Sequence, residues 1–430
     1  MSERFVRVRA KARSLAIDIS PLRVSRDFRL VMGSGLVTML GSMVTYVTLP
    51  FQIKQLTGSY IAVGLAGAAE LVPLIIFGLY GGALADSVDR KVMVISTEIA
   101  AMGLSTILLT NSLLHHPKIW VIYLVAALFA AVDGLQRPSL EAMTPQIVPH
   151  KQLGAAAALR SVRFQFGAIF GPALGGVLIA TVGVPSGYAF DIGTYVLSLI
   201  FLARLSRIPS SADATAPTWG ALTSGLKYAF SRQDLVGTYA IDLAAMFFAM
   251  PNALFPFLAD RLGAPWSLGL LYSAGMVGSI VATLTSGWVS RYHHHGRAVI
   301  IAALSWGIAI VIAGATNSLV VVLLGLAVAG GADQISGIFR STIWNQTIPD
   351  ELRGRLAGIE LLSYSLGPLG GQTRAGLMAS WSGLRASIMG GGALCVGAVG
   401  ILSTVLPKFR RYDDRTNEFA LAARIRRAQP

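Results

Sequence analysis

Apolar runs of roughly 20 residues recur from one end of the chain to the other, and each, as a helix, is long enough to cross about 30 Å of hydrocarbon. They predict membrane helices over 30–54, 60–84, 91–112, 119–143, 157–181, 187–206, 234–258, 266–290, 298–315, 318–343, 356–380 and 386–407. The expected fold class is therefore an all-α membrane protein with twelve transmembrane helices. Composition agrees: hydrophobic residues fill 54% of 430 positions and charged residues only 13%, against about a quarter charged in soluble domains. The 46 glycines favour close helix contact in lipid rather than flexible loops.

A net charge of +14 raises the question of nucleic acid, which the placement of the charges answers. With the amino terminus inside, the cytoplasmic ends and loops receive the cluster from Arg4 to Arg29, Arg90, Lys91, Lys151, Arg160, Arg163, Arg204, Arg207, Lys227, Arg232, Arg291, Arg297, Arg353, Arg355 and the tail from Lys408 to Arg427. The other side receives only Lys54, Lys118, Arg261 and Arg385. The positive-inside rule then puts both termini in the cytoplasm and the protein in a bacterial inner membrane, with no nucleic-acid partner expected. Residues 1–29 lack an uninterrupted apolar core before Pro21, so the first span, not a cleaved signal peptide, is the expected targeting signal. The single cysteine, Cys395, reads as a small core residue.

The stretch from Ser206 to Trp219 is polar and rich in Pro, Ser and Ala, as a linker should be. The segment from Gly220 to Arg232 spaces Leu222, Leu226 and Phe230 four apart with Lys227 and Arg232 to either side, as in a helix lying on the membrane surface. The expected organisation is a basic segment 1–29, a six-helix bundle 30–206, a linker with a surface helix 207–233, a second six-helix bundle 234–407 and a basic tail 408–430. A shift of 200 aligns Asp133 with Asp333, Gln146 with Gln346, Pro149 with Pro349 and Gly154 with Gly354. Because these matches keep the helix order, the halves read as a duplication, giving two pseudo-symmetric bundles.

Charge inside the spans is the sharpest sequence sign of function. Asp133, Arg137 and Glu141 stand four apart in the fourth span and so share one face. In lipid they should face a cavity or one another; a static ion-pair network, with Glu141 against Arg90, is the structural alternative. Glu70, Asp242 and Asp333 join Asp133 as candidates for proton coupling, and Arg340 and Arg374 join Arg137 as candidates for contact with substrate in the cavity. Glu70 ranks first because its own helix places no basic residue near it. Glu98, Asp191 and Glu360 lie nearer the predicted ends and read as interfacial, and His293, His294 and His295 as solvated loop residues. No metal site, cofactor or enzymatic activity is expected, since no Walker A loop, HExxH or GxSxG occurs.

Two motifs carry a resemblance. The segment Gly82-Ala-Leu-Ala-Asp86-Ser-Val-Asp89-Arg90-Lys91 resembles the major facilitator signature between the second and third helices, with Ser87 in place of a basic residue and Asp89 in place of glycine. Gly82, Asp86, Arg90, Lys91 and Glu141 are the implied gating residues. Gly167, Gly171, Pro172, Gly175 and Gly176 resemble the fifth-helix motif of antiporters in that superfamily, although Ala158 stands where a further glycine is expected. Proline and glycine there imply a bent helix packed closely on a neighbour. With Asp27-Phe28-Arg29, LTGSYIAVGL, PFLADRLG and Ile348-Pro349-Asp350, the chain resembles the branch of exporters that includes enterobactin and bacterial drug exporters over roughly residues 20–407.

That resemblance implies a monomeric exporter of a small molecule, a siderophore or drug-like compound, working by alternating access and proton antiport among membrane lipids. A lipid or lysolipid flippase on the same fold, or a non-transporting membrane sensor, are the rival readings.

Overall fold

The computed structural model describes residues 18–207 and 227–428, with side chains described outside 79–87, 350–355, 357–362, 364 and 426–428. The side chains of Gly82, Asp86 and Glu360, and most of the expected linker, lie outside the described residues. Twelve long helices carry the fold. The first six are α1 (Arg26–Thr57), α2 (Tyr60–Ser87), α3 (Arg90–Leu113), α4 (Ile119–Ile147), α5 (Leu153–Thr181) and α6 (Val184–Ala203). The second six are α7 (Gln233–Ala249), α8 (Leu268–Leu284), α9 (His295–Ala315), α10 (Leu319–Thr347), α11 (Asp350–Ser382) and α12 (Leu384–Val405). Among the described residues all but α11 are long and apolar enough to cross a membrane, α7 together with the segment through Arg261 and α8 together with the turn from Pro265. α11 has 33 residues and carries Arg374 in its interior.

Capping residues set the helix ends. Ser25 accepts the Phe28 amide at 3.1 Å to start α1, and Gly58, at φ 60°, turns the chain out of it. Asp89 accepts the amides of Lys91 and Val92 to start α3 and pairs with Arg207 at 3.1 Å. Lys91 reaches the carbonyls of Ala203 (3.2 Å) and Leu205 (2.5 Å), so α3 also closes the end of α6.

The duplication is visible in the packing. α1 packs on α5 and α6, α2 on α4, and α3 on α4 and α6; adding six to each number gives α7 on α11 and α12, α8 on α10, and α9 on α10 and α12. The halves meet through α2 on α11 and α5 on α8, contacts that the same operation exchanges. At both, backbone meets backbone. A Cβ added at Gly64 would lie 3.0 Å from the Gly376 Cα, and one at Gly176 would lie 2.6 Å from the Gly269 nitrogen.

Among the described residues these contacts gather at the end away from the termini. There Lys54 pairs with Asp260 across the halves and donates to the Pro256 carbonyl at 3.0 Å. The Tyr60 and Phe257 rings sit 4.4 Å apart, Thr373 donates to the Gly64 carbonyl at 3.0 Å, and Ser273 donates to the Ile169 carbonyl at 2.7 Å.

The expected seventh span, 234–258, is not one continuous helix. α7 stops at Ala249, and the chain passes through Met250 to Leu254 before a second helix, Phe255–Arg261. Pro251 and Pro256 account for the break, since neither can donate a backbone hydrogen bond. The freed carbonyls of Phe247 (3.3 Å) and Phe248 (2.5 Å) find a donor in Arg374, which also reaches Ser387 O of α12 at 3.3 Å. Arg374 thus ties α11 to the broken end of α7, away from the cavity where substrate contact was expected.

The terminal side holds a second unforeseen element. His293 contacts Asp414 at 2.8 Å and His294 contacts Asp413 at 3.3 Å, while buried His295 stacks on Tyr412. The three histidines therefore hold the tail against the bundle and are not simply solvated. Two hydrogen bonds from Arg415 keep the Asp413 carboxyl below the usual carboxylate range, and Arg424, on the tail helix Glu418–Ala428, pairs with Asp414 at 2.8 Å.

Arg374→Leu keeps the apolar stem but leaves the Phe247 and Phe248 carbonyls without their donor, and each orphaned buried acceptor costs about 1–3 kcal/mol. The expected outcome is a lower thermal unfolding midpoint in detergent, partly restored by Arg374→Lys. An unchanged midpoint with lost transport would place Arg374 in the transport pathway instead.

Candidate functional site

Between the halves lies a cavity of about 480 Å³, walled by α1, α2, α4 and α6 with α8 and α11 closing one flank. α4 supplies Asp133, Gln136 and Arg137, three polar residues on a face that its apolar first half leaves turned to the centre. α2 supplies Glu70, and aromatic surface comes from Tyr46, Phe129, Tyr195 and Tyr272.

Glu70 and Asp133 face the same space, and the charge beside Glu70 is the Asp133 carboxylate. Among the described residues Glu70 has no ion-pair partner. Arg137 approaches Glu141 at 3.9 Å, with both side chains more than half exposed, and a pair so wet contributes little. Arg90 instead donates to the Ala142 carbonyl at 3.1 Å. Glu141 thus turns to Arg137, one turn away on the same helix, and not to Arg90, which reaches α4 from α3.

The structure separates the repeat mates. Asp133 borders open cavity, whereas Asp333 lies 3.7 Å from Arg340, which also holds Asp242 at 2.5 Å. Ser363 completes that cluster by donating to Asp242 at 3.2 Å. Arg340 and Asp242 are buried there, with side chains 4% exposed. Of the charged residues singled out in the spans, Glu70, Asp133 and Arg137 meet in the cavity and Asp191 lies in its wall; Asp242, Asp333, Arg340 and Arg374 do not line it.

Behind the cavity stands a polar layer that sequence reasoning missed. Asp191 is fully buried and accepts from Thr45 (2.8 Å) and Ser105 (2.6 Å). Glu98 is 3% exposed and accepts from Thr38 (3.1 Å) and Gln136 (3.0 Å). Neither is interfacial, because α3 and α6 pack face to face there. A signal was present: Thr38 and Thr45, like Glu98 and Ser105, stand seven residues apart, two turns along one helix face.

The cavity's far end is closed by three residues from three helices or breaks. Asn252, in the interruption after α7, donates to the Tyr46 hydroxyl at 3.0 Å, and Tyr272 of α8 donates to the Asn252 carbonyl at 2.9 Å. The Tyr46 and Tyr272 rings pack edge to face at 5.5 Å. The fifth-helix glycines sit beside this closure: Gly167 and Gly171 face Met39 and Met43 of α1, Gly175 faces Val44, and Gly176 faces Gly269, with Pro172 buried among them. The arrangement is closed at its far end and can present acids, amides and aromatic faces to a partly apolar molecule.

Comparison with known proteins agrees with this geometry. Enterobactin exporters of Shigella boydii and Escherichia coli are 28% identical to this chain over 410 residues, covering 93% of it and 96% of theirs. Among solved structures, the nucleoside transporter NupG superposes with a TM-score of 0.72 at 12% identity, over 90% of this chain and 100% of that one. A POT family transporter in complex with 5-aminolevulinic acid superposes at 0.71 with 10% identity, over 90% and 97% of the two chains. A bacterial homologue of the lysosomal transporter Spinster gives 0.65 at 15%, over 92% and 96%. Residues 16–424 match the family described as transmembrane secretion effector, so the chain belongs to that branch of the major facilitator superfamily and is a secondary transporter of small molecules, not an enzyme.

Proposed function

We propose that the protein is a monomeric inner-membrane exporter that carries a siderophore-like or drug-like molecule out of the cytoplasm by proton antiport. The observation that carries this reading is the pairing of a closed far end with a cavity whose acid, Glu70, has no cation against it among the described residues. With both termini cytoplasmic, as the basic residues imply, the closed end is external and substrate enters from the cytoplasm. The 28% identity to enterobactin exporters supports export and favours a siderophore among substrates.

In this mechanism the halves alternate between closure outside and closure inside, and the loop from Gly82 to Lys91 helps to make the inner closure. Glu70 takes a proton from outside and gives it up on the cytoplasmic side as substrate binds. Two acids facing one cavity repel when both are ionised, and of the two only Asp133 has a basic residue, Arg137, one turn away in its own helix. Asp242 and Asp333 are held by Arg340 and serve the C-terminal half as a fixed charge cluster.

Orientation is tested by accessibility. In a chain with its single native Cys395, buried in α12, replaced by serine, a cysteine at Ser59 or Pro185 should react with an impermeant maleimide on whole cells, and one at Ser211 only after permeabilisation. The reverse pattern would invert the topology.

Coupling is tested by Glu70→Gln, which mimics the protonated acid and removes the switch. The variant should bind substrate and exchange it downhill, while accumulation in inside-out vesicles under an imposed pH gradient falls to the level of binding alone. Asp133→Asn serves as the comparison and should keep part of the pH-driven uptake. Full accumulation by Glu70→Gln would remove it as the essential carrier, and a loss confined to Asp133→Asn would move that role to α4.

A further inference from the structure

A wide apolar recess lies outside the transport path. α8 and α9 both pack on α10 and leave between them a groove of about 760 Å³. Its walls are Val277 and Val281 of α8 and Ile301 and Ser305 of α9, and its floor is α10 from Leu324 to Ile335. Val277, Val281, Ile301, Leu324 and Val328 are all exposed, so the groove opens outward from the bundle and not toward the cavity.

Three features say what covers it. The first is length: eleven residue steps along α10, from Leu324 to Ile335, make about 17 Å of helix, close to one leaflet's share of a hydrocarbon core about 30 Å thick. The second is the aromatic cap. α8 ends at Leu284 and a 3₁₀ turn, Ser286–Arg291, follows; Trp288 and Tyr292, 6.0 Å apart, stand at that end of the groove. Tryptophan and tyrosine favour the headgroup level of a bilayer. The third is charge: Arg291 and Arg297, each next in sequence to a lining residue, are exposed beside the cap, and among the lining residues no acid occurs.

We infer that this groove is a binding site for an anionic phospholipid of the leaflet on the terminal side, with one acyl chain between α8 and α9 and its phosphate at Arg291 and Arg297. Basic residues at the cytoplasmic mouth of a crevice between membrane helices are the chemistry that holds such headgroups. The lipid is a resident ligand that fills the gap between α8 and α9, separate from any cargo in the central cavity.

The test uses the full chain in a mild detergent, titrated with phosphatidylglycerol or phosphatidylcholine and read by native mass spectrometry. The expected result is a saturable one-to-one phosphatidylglycerol adduct. Arg291→Gln and Arg297→Gln should each weaken phosphatidylglycerol binding by about fivefold while leaving phosphatidylcholine unchanged. Val281→Trp and Val328→Trp fill the groove from exposed positions and should abolish the adduct, whereas Ile401→Trp, on the outward face of α12, should not. Adducts that survive both filling variants, or that fall equally with Ile401→Trp, would show ordinary surrounding lipid and overturn the site. A dimer peak lost with the filling variants would assign the groove to a second copy of the chain instead. Each variant's unfolding midpoint with and without phosphatidylglycerol provides the second readout, and a lipid-dependent rise in the filling variants equal to that of the wild type would also overturn it.

Discussion

In lipid a backbone amide or carbonyl has no water to turn to, so every departure from helix within the membrane needs a partner supplied by the protein. In this chain the rule singles out the interruption between Ala249 and Phe255. Arg374 meets its loose carbonyls from one side, and Tyr272 and Asn252 occupy the other. The irregular backbone is thereby turned into the lid of the cavity: Asn252 can reach Tyr46 only because the helix stops before it. The closure at the far end and the position of the guanidinium on α11 both follow from two prolines in one span.

The duplicated halves share a packing plan yet have divided their charges. In the first half, acids remain open to the cavity or lie behind it among hydroxyls and an amide. In the second, Arg340 pairs with Asp242 in a buried contact and reaches the part-exposed Asp333. A buried pair is costly to break by removing one member, which suits a bundle that moves as a unit. An acid without a cation among the described residues is instead free to respond to what enters, and on the proposed mechanism the responsive chemistry belongs to the first half.

Much of the architecture was legible in the sequence because the bilayer dictates it. Apolar length marked the spans, and the shift of 200 that joins Asp133 to Asp333 anticipated the exchange of packing partners between halves. The site was legible in part. Glu70, Asp133 and Arg137 showed themselves as charge in apolar surroundings, and the same logic misplaced Arg374, whose partners are carbonyls that every residue possesses. Asp191 and Glu98 were misjudged because their donors, Thr45, Ser105, Thr38 and Gln136, come from other helices. Tyr46, Asn252 and Tyr272 carry no local pattern, since their meeting depends on how two bundles are docked.

The bare glycine surfaces where the halves touch have a mechanical consequence. At Gly64 against Gly376 and Gly176 against Gly269 there are no interdigitated knobs to withdraw before one bundle turns on the other. Such a joint behaves as a smooth bearing, with little friction of its own. On the proposed alternating mechanism, resistance to turning comes from the contacts around it, where the Lys54 pair with Asp260, the Tyr60 ring on Phe257 and the Thr373 bond to the Gly64 carbonyl act as catches, so the ease of opening would be set by a few removable latches rather than by the bare glycine surfaces.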